Sequence, residues 1–101
     1  MWTKVKALDT DQRIVDLFEN DADRAANFSV SALDMLFDYS KTAMDVAARD
    51  ALFELANAAK LADKRDAMFA GETINDTEGR AVLHTALRNL SGDPIIVDGA
   101  D

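Results

Sequence analysis

Cysteine is absent from the 101-residue sequence, and proline, histidine and tryptophan each occur once. Without cysteine, these residues contain no disulfide, thiolate metal ligand or cysteine nucleophile. No window approaches the roughly 18 consecutive apolar residues that a membrane-spanning helix needs. No apolar run follows Lys4 and Lys6, so the first residues do not predict a secretory signal. Together these absences favour a reducing cytoplasmic location.

Positive charge is also scarce. The chain has 11 lysine and arginine residues against 19 aspartate and glutamate residues, a formal net charge of -8. Nucleic acids and anionic membrane surfaces are therefore disfavoured as partners, because both require a basic patch. A small anionic substrate is not excluded, since a few local donors can overcome a weak overall field.

Glycine is sparse and scattered, and its four positions lie far apart: Gly71, Gly79, Gly92 and Gly99. No glycine-rich loop that would hold a phosphate group is present. What the chain does contain is apolar sequence, with 49% hydrophobic residues. That fraction is typical of a folded protein, and the length suits one domain with a modest core.

The apolar spacing predicts a mainly α-helical chain with about four helices. Asp9 or Thr10 can cap the first, with Ile14 and Leu17 on its apolar face. Gly71 stands where a helix commonly ends in a left-handed residue. Asn75 and Glu78 have the spacing of a capping box before the last helix. The predicted helices cover residues 9–20, 45–60, 63–70 and 76–89.

Two segments read as strands. Residues 28–39 alternate apolar and polar positions in part, which fits a β-hairpin turning at Leu33 and Asp34. A helix beginning at Ser31 is the competing interpretation, because short apolar runs do not settle periodicity. After a turn at residues 91–94, the β-branched run at residues 95–97 predicts a short strand. This strand has no evident partner, which suggests that the fold extends outside these residues.

The last predicted helix carries Arg80, His84 and Arg88 at intervals of four residues, so they would share one helix face. Guanidinium groups bind carboxylate or phosphate with forked geometry, so this face is a candidate anion-binding surface. A solvated polar face opposite Val82 and Leu83 is the alternative interpretation. We expect no catalytic, cofactor or metal residue here, with Arg80 and His84 as candidates for a position near a substrate site.

Several blocks of this sequence resemble the amino-terminal region of the glucose-6-phosphate isomerases, also called phosphoglucose isomerases. The longest covers residues 65–88 and includes Ile74-Asn75, Thr77-Glu78 and the run from Arg80 to His84. The order and spacing of all the blocks extend over nearly the whole chain. The others are Leu17-Phe18, Asp23-Arg24, Phe28-Ser29, Asp38-Tyr39-Ser40-Lys41, Pro94-Ile95 and Val97-Asp98-Gly99.

The resemblance implies a segment of an enzyme that interconverts glucose 6-phosphate and fructose 6-phosphate in glycolysis and gluconeogenesis. It implies a homodimer without metal or organic cofactor, with α/β three-layer sandwich domains called sugar-isomerase domains. The family's catalytic glutamate, histidine and lysine and its phosphate-binding loop come later in its sequence. Residues 1–101 are therefore expected to form a single amino-terminal helical segment that is inactive alone. The alternative is a free-standing acidic helical module that binds another protein.

Overall fold

The computed structural model describes residues 1–9 and 11–99, and these form two compact units that meet in sequence at Leu55 and Ala56. The described residues are mainly helical, as predicted, with five α-helices, two antiparallel strand pairs and one short 3-10 helix. In chain order the elements are α1 (Trp2–Ala7), α2 (Ile14–Glu19), α3 (Arg24–Asn27), β1 (Ser29–Ala32), β2 (Met35–Asp38), α4 (Val46–Ala58), α5 (Leu61–Phe69), β3 (Thr73–Asn75), β4 (Arg80–Ala81) and the 3-10 helix His84–Arg88.

The first predicted helix is shorter than expected, and α1 was not predicted. The backbone of Arg13 is extended, with φ -75° and ψ 139°, so α2 begins only at Ile14. Asp9 does not cap it, and Thr10 lies outside the described residues. Asp21 instead starts the next turn, because its carboxylate accepts a hydrogen bond from the Asp23 amide at 3.0 Å.

The hairpin prediction for residues 28–39 is confirmed over the helix alternative. Strands β1 and β2 pair in antiparallel register, with Val30 opposite Phe37 and Ala32 opposite Met35. The connecting residues Leu33 and Asp34 have φ values of 49° and 62°. Left-handed conformations at both central residues are typical of a type I′ turn, whose twist matches that of the two strands.

Helices α4 and α5 confirm the second and third expected helices, although α5 begins at Leu61, two residues before the expected start. Gly71 ends α5 with φ +78°. The Gly71 amide donates to the Met68 carbonyl at 3.1 Å, and the Glu72 amide donates to the Ala67 carbonyl at 3.0 Å. These two bonds form a Schellman motif, which satisfies carbonyl groups that the helix end would leave unpaired.

The predicted helix at residues 76–89 is wrong. The expected contact is present, since the Asn75 side chain accepts a hydrogen bond from the Glu78 amide at 3.2 Å. It closes a turn rather than starting a helix, because Gly79 then takes a φ of +65°. The chain reverses there, and Arg80 pairs with Asn75 across β3 and β4. Side-chain bonds of this kind stabilise turns and helix starts alike.

The predicted strand at residues 95–97 is also wrong, because the structure has a single β-bridge residue there. Only Val97 forms a β-bridge, and no strand is present in this part of the described chain. The segment is nevertheless held near the end of α5. A Cβ atom placed on Gly71 would lie 3.2 Å from side-chain atoms of both Leu83 and Val97. Gly71 therefore permits a close approach as well as a positive φ.

The core of the first unit is small. Leu17, Phe28 and Ala51 are its buried apolar residues, together with the buried polar residues Arg24 and Ser40. An exposed ion pair of 2.7 Å between Lys4 and Glu54 links α1 to α4. No helix in the described residues is long and apolar enough to cross a membrane.

Candidate functional site

The residues expected to share one helix face are separated by the structure. Arg80 lies in β4, while His84 begins and Arg88 ends the 3-10 helix. A 3-10 helix has three residues per turn, so positions four apart no longer lie on one face. All three residues are exposed, and the Arg80 and His84 side chains form no hydrogen bond or ion pair with the described residues.

A shallow depression of about 340 Å³ lies on the second unit beside the 3-10 helix. Its polar side is a turn in which Asn89 accepts hydrogen bonds from the Ser91 amide and hydroxyl at 3.1 and 2.7 Å. The Asn89 amide group also donates to the Asp93 carbonyl at 2.8 Å. These bonds order the predicted turn at residues 91–94. Among the described residues, no group of three or more His, Asp or Glu side chains could hold a metal ion.

The most strongly constrained side chain in the first unit is Arg24, which is only 2% exposed. Its guanidinium group donates to the carbonyl oxygens of Ser40, Thr42 and Met44, each at 2.9 Å. Three bonds from one rigid planar group fix the loop between β2 and α4, because five donors in a fixed fork suit such convergent acceptors. Arg24 thereby connects α3 to this loop.

Phe28 is fully buried, and two guanidinium groups contact its ring. The Cζ atom of Arg24 is 4.2 Å from its ring centroid, and the Cζ atom of Arg49 is 4.8 Å away. The ring of Tyr39 adds a tilted contact at 5.3 Å. The Arg49 side chain also donates to the Asn27 carbonyl at 2.8 Å, which links α4 to the end of α3. Stacks of cations on an aromatic ring gain strength as water is excluded.

The sequence patterns did not identify this cluster, which we call the Arg24–Phe28–Arg49 stack. Arginine is almost never fully buried unless it is paired, so composition gives no reason to place Arg24 inside. Asp23-Arg24 and Phe28-Ser29 appear among the blocks that resemble the isomerase family. A single sequence gives no indication of which of those residues are buried.

Asp38 ends β2 and accepts a hydrogen bond from the Ser40 amide at 2.8 Å. Hydrogen bonds from the Ser40 side chain and backbone hold the pKa of Asp38 below its ordinary value of 3.8, with a smaller contribution from the charge of Lys41. Because the carboxylate form is favoured by folding, its contribution to stability is present above the ordinary pKa. That contribution is lost as the pH falls through the lowered pKa.

Asp38→Asn is expected to lower stability near neutral pH and to lower it less as the solution becomes acidic. Asparagine retains an acceptor oxygen but does not titrate, so only the pH-dependent part is removed. The difference in denaturation midpoint between the two proteins should shrink as the pH falls to and below the ordinary pKa of 3.8. Glu19→Gln is the control at an exposed helical carboxylate. A difference in denaturation midpoint that does not change with pH would contradict stabilisation by the ionised Asp38 carboxylate.

Three curated relatives, each named glucose-6-phosphate isomerase, match most of the chain. The protein of Ruegeria pomeroyi is 56% identical over 90 residues, or 89% of this chain. The protein of Cereibacter sphaeroides is 61% identical over 88 residues, or 87% of this chain. The protein of Hahella chejuensis is 47% identical over 96 residues, or 94% of this chain. All three relatives are isomerases by name.

The family model described as phosphoglucose isomerase matches residues 38–101. The chain belongs to the phosphoglucose isomerase family. The matched part covers 17%, 16% and 17% of the three relatives, so the chain spans about one sixth of their length. The comparisons give no support to the alternative of a free-standing interaction module.

Proposed function

We propose that residues 1–101 form the amino-terminal segment of an enzyme that interconverts glucose 6-phosphate and fructose 6-phosphate. The observation that carries this proposal is identity of 47–61% to named glucose-6-phosphate isomerases over most of the chain. The sugar-isomerase domains would be supplied by the rest of the polypeptide. We propose a cytoplasmic homodimer acting on sugar phosphates, with no nucleic-acid or membrane partner.

In the proposed reaction the sugar ring opens and a proton moves between C1 and C2 through an enediol. This step needs a positioned carboxylate base and stabilisation of the developing oxyanion. We assign these roles to residues outside this chain, following the family resemblance. Residues 1–101 would serve as structural support, with the Arg24–Phe28–Arg49 stack holding the first unit together.

A chimera tests the proposal directly. The 90 matched residues replace their counterparts in the Ruegeria pomeroyi protein, to which they are 56% identical. The purified chimera is expected to convert fructose 6-phosphate to glucose 6-phosphate with kcat within about tenfold of the parent, since a tenfold change is only about 1.4 kcal/mol in barrier height. Product formation is measured in a coupled assay.

Two controls complete this test. Residues 1–101 alone should show no turnover, and the Ruegeria pomeroyi protein without the segment should be inactive. A chimera that matches the parent in circular dichroism and oligomeric state but lacks isomerase activity would contradict the proposal. Turnover by residues 1–101 alone would contradict the assignment of the chemistry to the rest of the polypeptide.

We also propose that Arg80 and His84 lie near the sugar-phosphate site of the full-length enzyme. Their exposure and lack of partners among the described residues support this placement. Arg80→Met in the full-length enzyme is expected to raise KM for fructose 6-phosphate about tenfold with a smaller change in kcat, because one charge-assisted hydrogen bond is lost. His84→Asn should have a smaller effect of the same kind.

Arg88→Met provides the matched control for this prediction, because Arg88 is also exposed and ends the 3-10 helix that His84 begins. Steady-state kinetics of the three variants distinguish a position near the sugar-phosphate site from a solvated surface position. Equal KM values for Arg80→Met, Arg88→Met and the unchanged enzyme would leave Arg80 as a solvated surface residue.

A further inference from the structure

The peptide bond between Asp93 and Pro94 lies in the turn that follows the 3-10 helix. Pro94 is the single proline of the sequence, so Asp93 is the single aspartate that precedes one. An aspartate carboxyl oxygen can reach the carbonyl carbon of its own residue through a five-membered ring. The competing reaction, attack on the side chain by the next backbone amide, is closed because proline has no N–H. The carboxyl group of Asp93 can therefore act as an internal nucleophile on the bond to Pro94.

A hydrogen bond in this turn polarises the carbonyl group of that bond. The side-chain amide of Asn89 donates to the Asp93 carbonyl oxygen at 2.8 Å. A donor at this distance stabilises the negative charge that the oxygen gains when the carbonyl carbon is attacked. The backbone amide of Asp93 donates to the Ser91 hydroxyl at 3.1 Å. The backbone of Asp93 is thus held on both sides of its side chain.

Ser91 also fixes the orientation of Asn89. The Asn89 side-chain oxygen accepts hydrogen bonds from the Ser91 amide at 3.1 Å and from the Ser91 hydroxyl at 2.7 Å. Because that oxygen faces Ser91, the nitrogen of the same group is directed to the Asp93 carbonyl. The donor is therefore in place before any reaction begins, and no reorganisation is needed to supply it.

The Asp93 side chain, in contrast, is free to move. It is exposed and forms no hydrogen bond or ion pair with the described residues. Asp93 is also the only charged residue among those that line the depression of about 340 Å³ beside the 3-10 helix. The neighbouring Gly92 is open, since a Cβ atom placed on it would have nothing described within 4 Å. Rotation of the carboxyl group and access of water are both unobstructed here.

We propose that the Asp93–Pro94 bond is a self-cleavage site, with the Asp93 carboxyl group as nucleophile and the Asn89 amide as oxyanion donor. A carboxyl oxygen of Asp93 bonds to the Asp93 carbonyl carbon, and the bond from that carbon to the Pro94 nitrogen then breaks. The carboxyl proton passes to this nitrogen, which leaves as the secondary amine of a new amino terminus. Water opens the resulting cyclic anhydride and restores the side-chain carboxyl group. The balance is hydrolysis of one peptide bond by one water molecule.

The groups required all lie within residues 89–94, so cleavage does not depend on the proposed isomerase activity. The test uses the polypeptide encoded by the complete reading frame that contains residues 1–101. The folded protein is incubated at about pH 5, where a small fraction of aspartate side chains carries the proton that the step transfers. Mass spectrometry follows two products, one ending at Asp93 and one whose amino-terminal sequence is Pro94-Ile95-Ile96-Val97.

Cleavage of the folded protein is expected to be at least about tenfold faster than cleavage of the same protein unfolded in urea at the same pH. The unfolded chain keeps the Asp93–Pro94 bond but loses the hydrogen bond from Asn89, and one such bond contributes up to about a factor of ten. Asp93→Asn should give neither product over the same period, because the carboxyl nucleophile is removed. Absence of the two products from the folded protein, or equal rates in the folded and unfolded states, would overturn the proposal.

Asn89→Asp separates donation to the carbonyl from the order of the turn. The introduced carboxylate can accept the two bonds from Ser91 but has no N–H to donate to Asp93. Folded Asn89→Asp should therefore cleave about tenfold more slowly than the unchanged protein. Asn57→Ala, at an exposed asparagine of α4, is the matched control and should cleave at the unchanged rate. Equal rates for Asn89→Asp and the unchanged protein would show that Asn89 does not assist the cleavage.

Discussion

Arg24→Met in the full-length polypeptide is expected to lower the free energy of local opening around α3 and the loop after β2 by about 3–5 kcal/mol. Hydrogen exchange of the Tyr39 amide, which donates to the Phe28 carbonyl at 2.9 Å, reports this opening. A loss of this size corresponds to exchange at least about a hundredfold faster. We expect no comparable change at exposed positions.

The physical reason is that methionine retains much of the apolar stem of Arg24 but none of its donors. Three carbonyl oxygens, those of Ser40, Thr42 and Met44, would lose the guanidinium donor in a buried or partly buried place, and among the described residues only that of Thr42 keeps a second donor, the Met44 amide at 2.8 Å. Leaving a buried acceptor unpaired costs about 1–3 kcal/mol, more than an average hydrogen bond contributes. The contact of Arg24 with the Phe28 ring would be lost as well.

Two variants sharpen this prediction. Arg24→Lys retains the charge but not the planar fork. In this variant the region around α3 and the loop after β2 should open more easily than in the unchanged protein and less easily than in Arg24→Met. Arg65→Met is the matched control, because the Arg65 side chain is 59% exposed and, among the described residues, pairs only with its neighbour Asp66. Equal exchange rates for Arg24→Met and Arg65→Met would show that Arg24 does not hold the loop.

Phe28→Ala is the second change expected to cause a large loss, again about 3–5 kcal/mol. Phe28 is 0% exposed, so its removal leaves a cavity in a core with few other apolar residues. The guanidinium groups of Arg24 and Arg49 both contact the ring. Alanine would remove the aromatic surface that both cations contact.

Exchange of the amides in α3 and of Tyr39 measures this effect too. Phe28→Leu should lose less stability than Phe28→Ala, since leucine fills part of the volume but offers no ring to the cations. The double variant Arg24→Met with Phe28→Ala should lose less than the sum of the single variants, because the two residues share one contact. Additive losses would mean that the stack contributes no energy of its own.

The long helices could be predicted because their signals are local. Helix α4 lies within residues 45–60, where no glycine or proline interrupts the apolar positions. Gly71 was correctly expected to end α5, since few other residues adopt a positive φ there without cost. For residues 28–39 the sequence did not decide between a hairpin and a helix, because a short apolar run fits both a strand and a helix.

The segment after β3 shows where local signals fail. Asn75 and Glu78 make the contact that the sequence predicts, yet Gly79 turns the chain so that Arg80 pairs with Asn75. The expected alignment of Arg80, His84 and Arg88 depended on a continuous helix and was lost with it. Capping boxes and turns share the same side-chain bond, so pairing across strands decided the outcome.

The sequence by itself determined the family, through blocks of residues in fixed order, together with the acidic charge and the mainly helical character. Only the tertiary structure decided that Arg24 is buried, that Phe28 contacts two cations and that the hairpin leaves apolar side chains exposed. Helix signals arise within a few residues, whereas burial depends on contacts between residues such as Arg24 and Met44, 20 positions apart. Such contacts are fixed when the chain folds back on itself, and no local pattern encodes them.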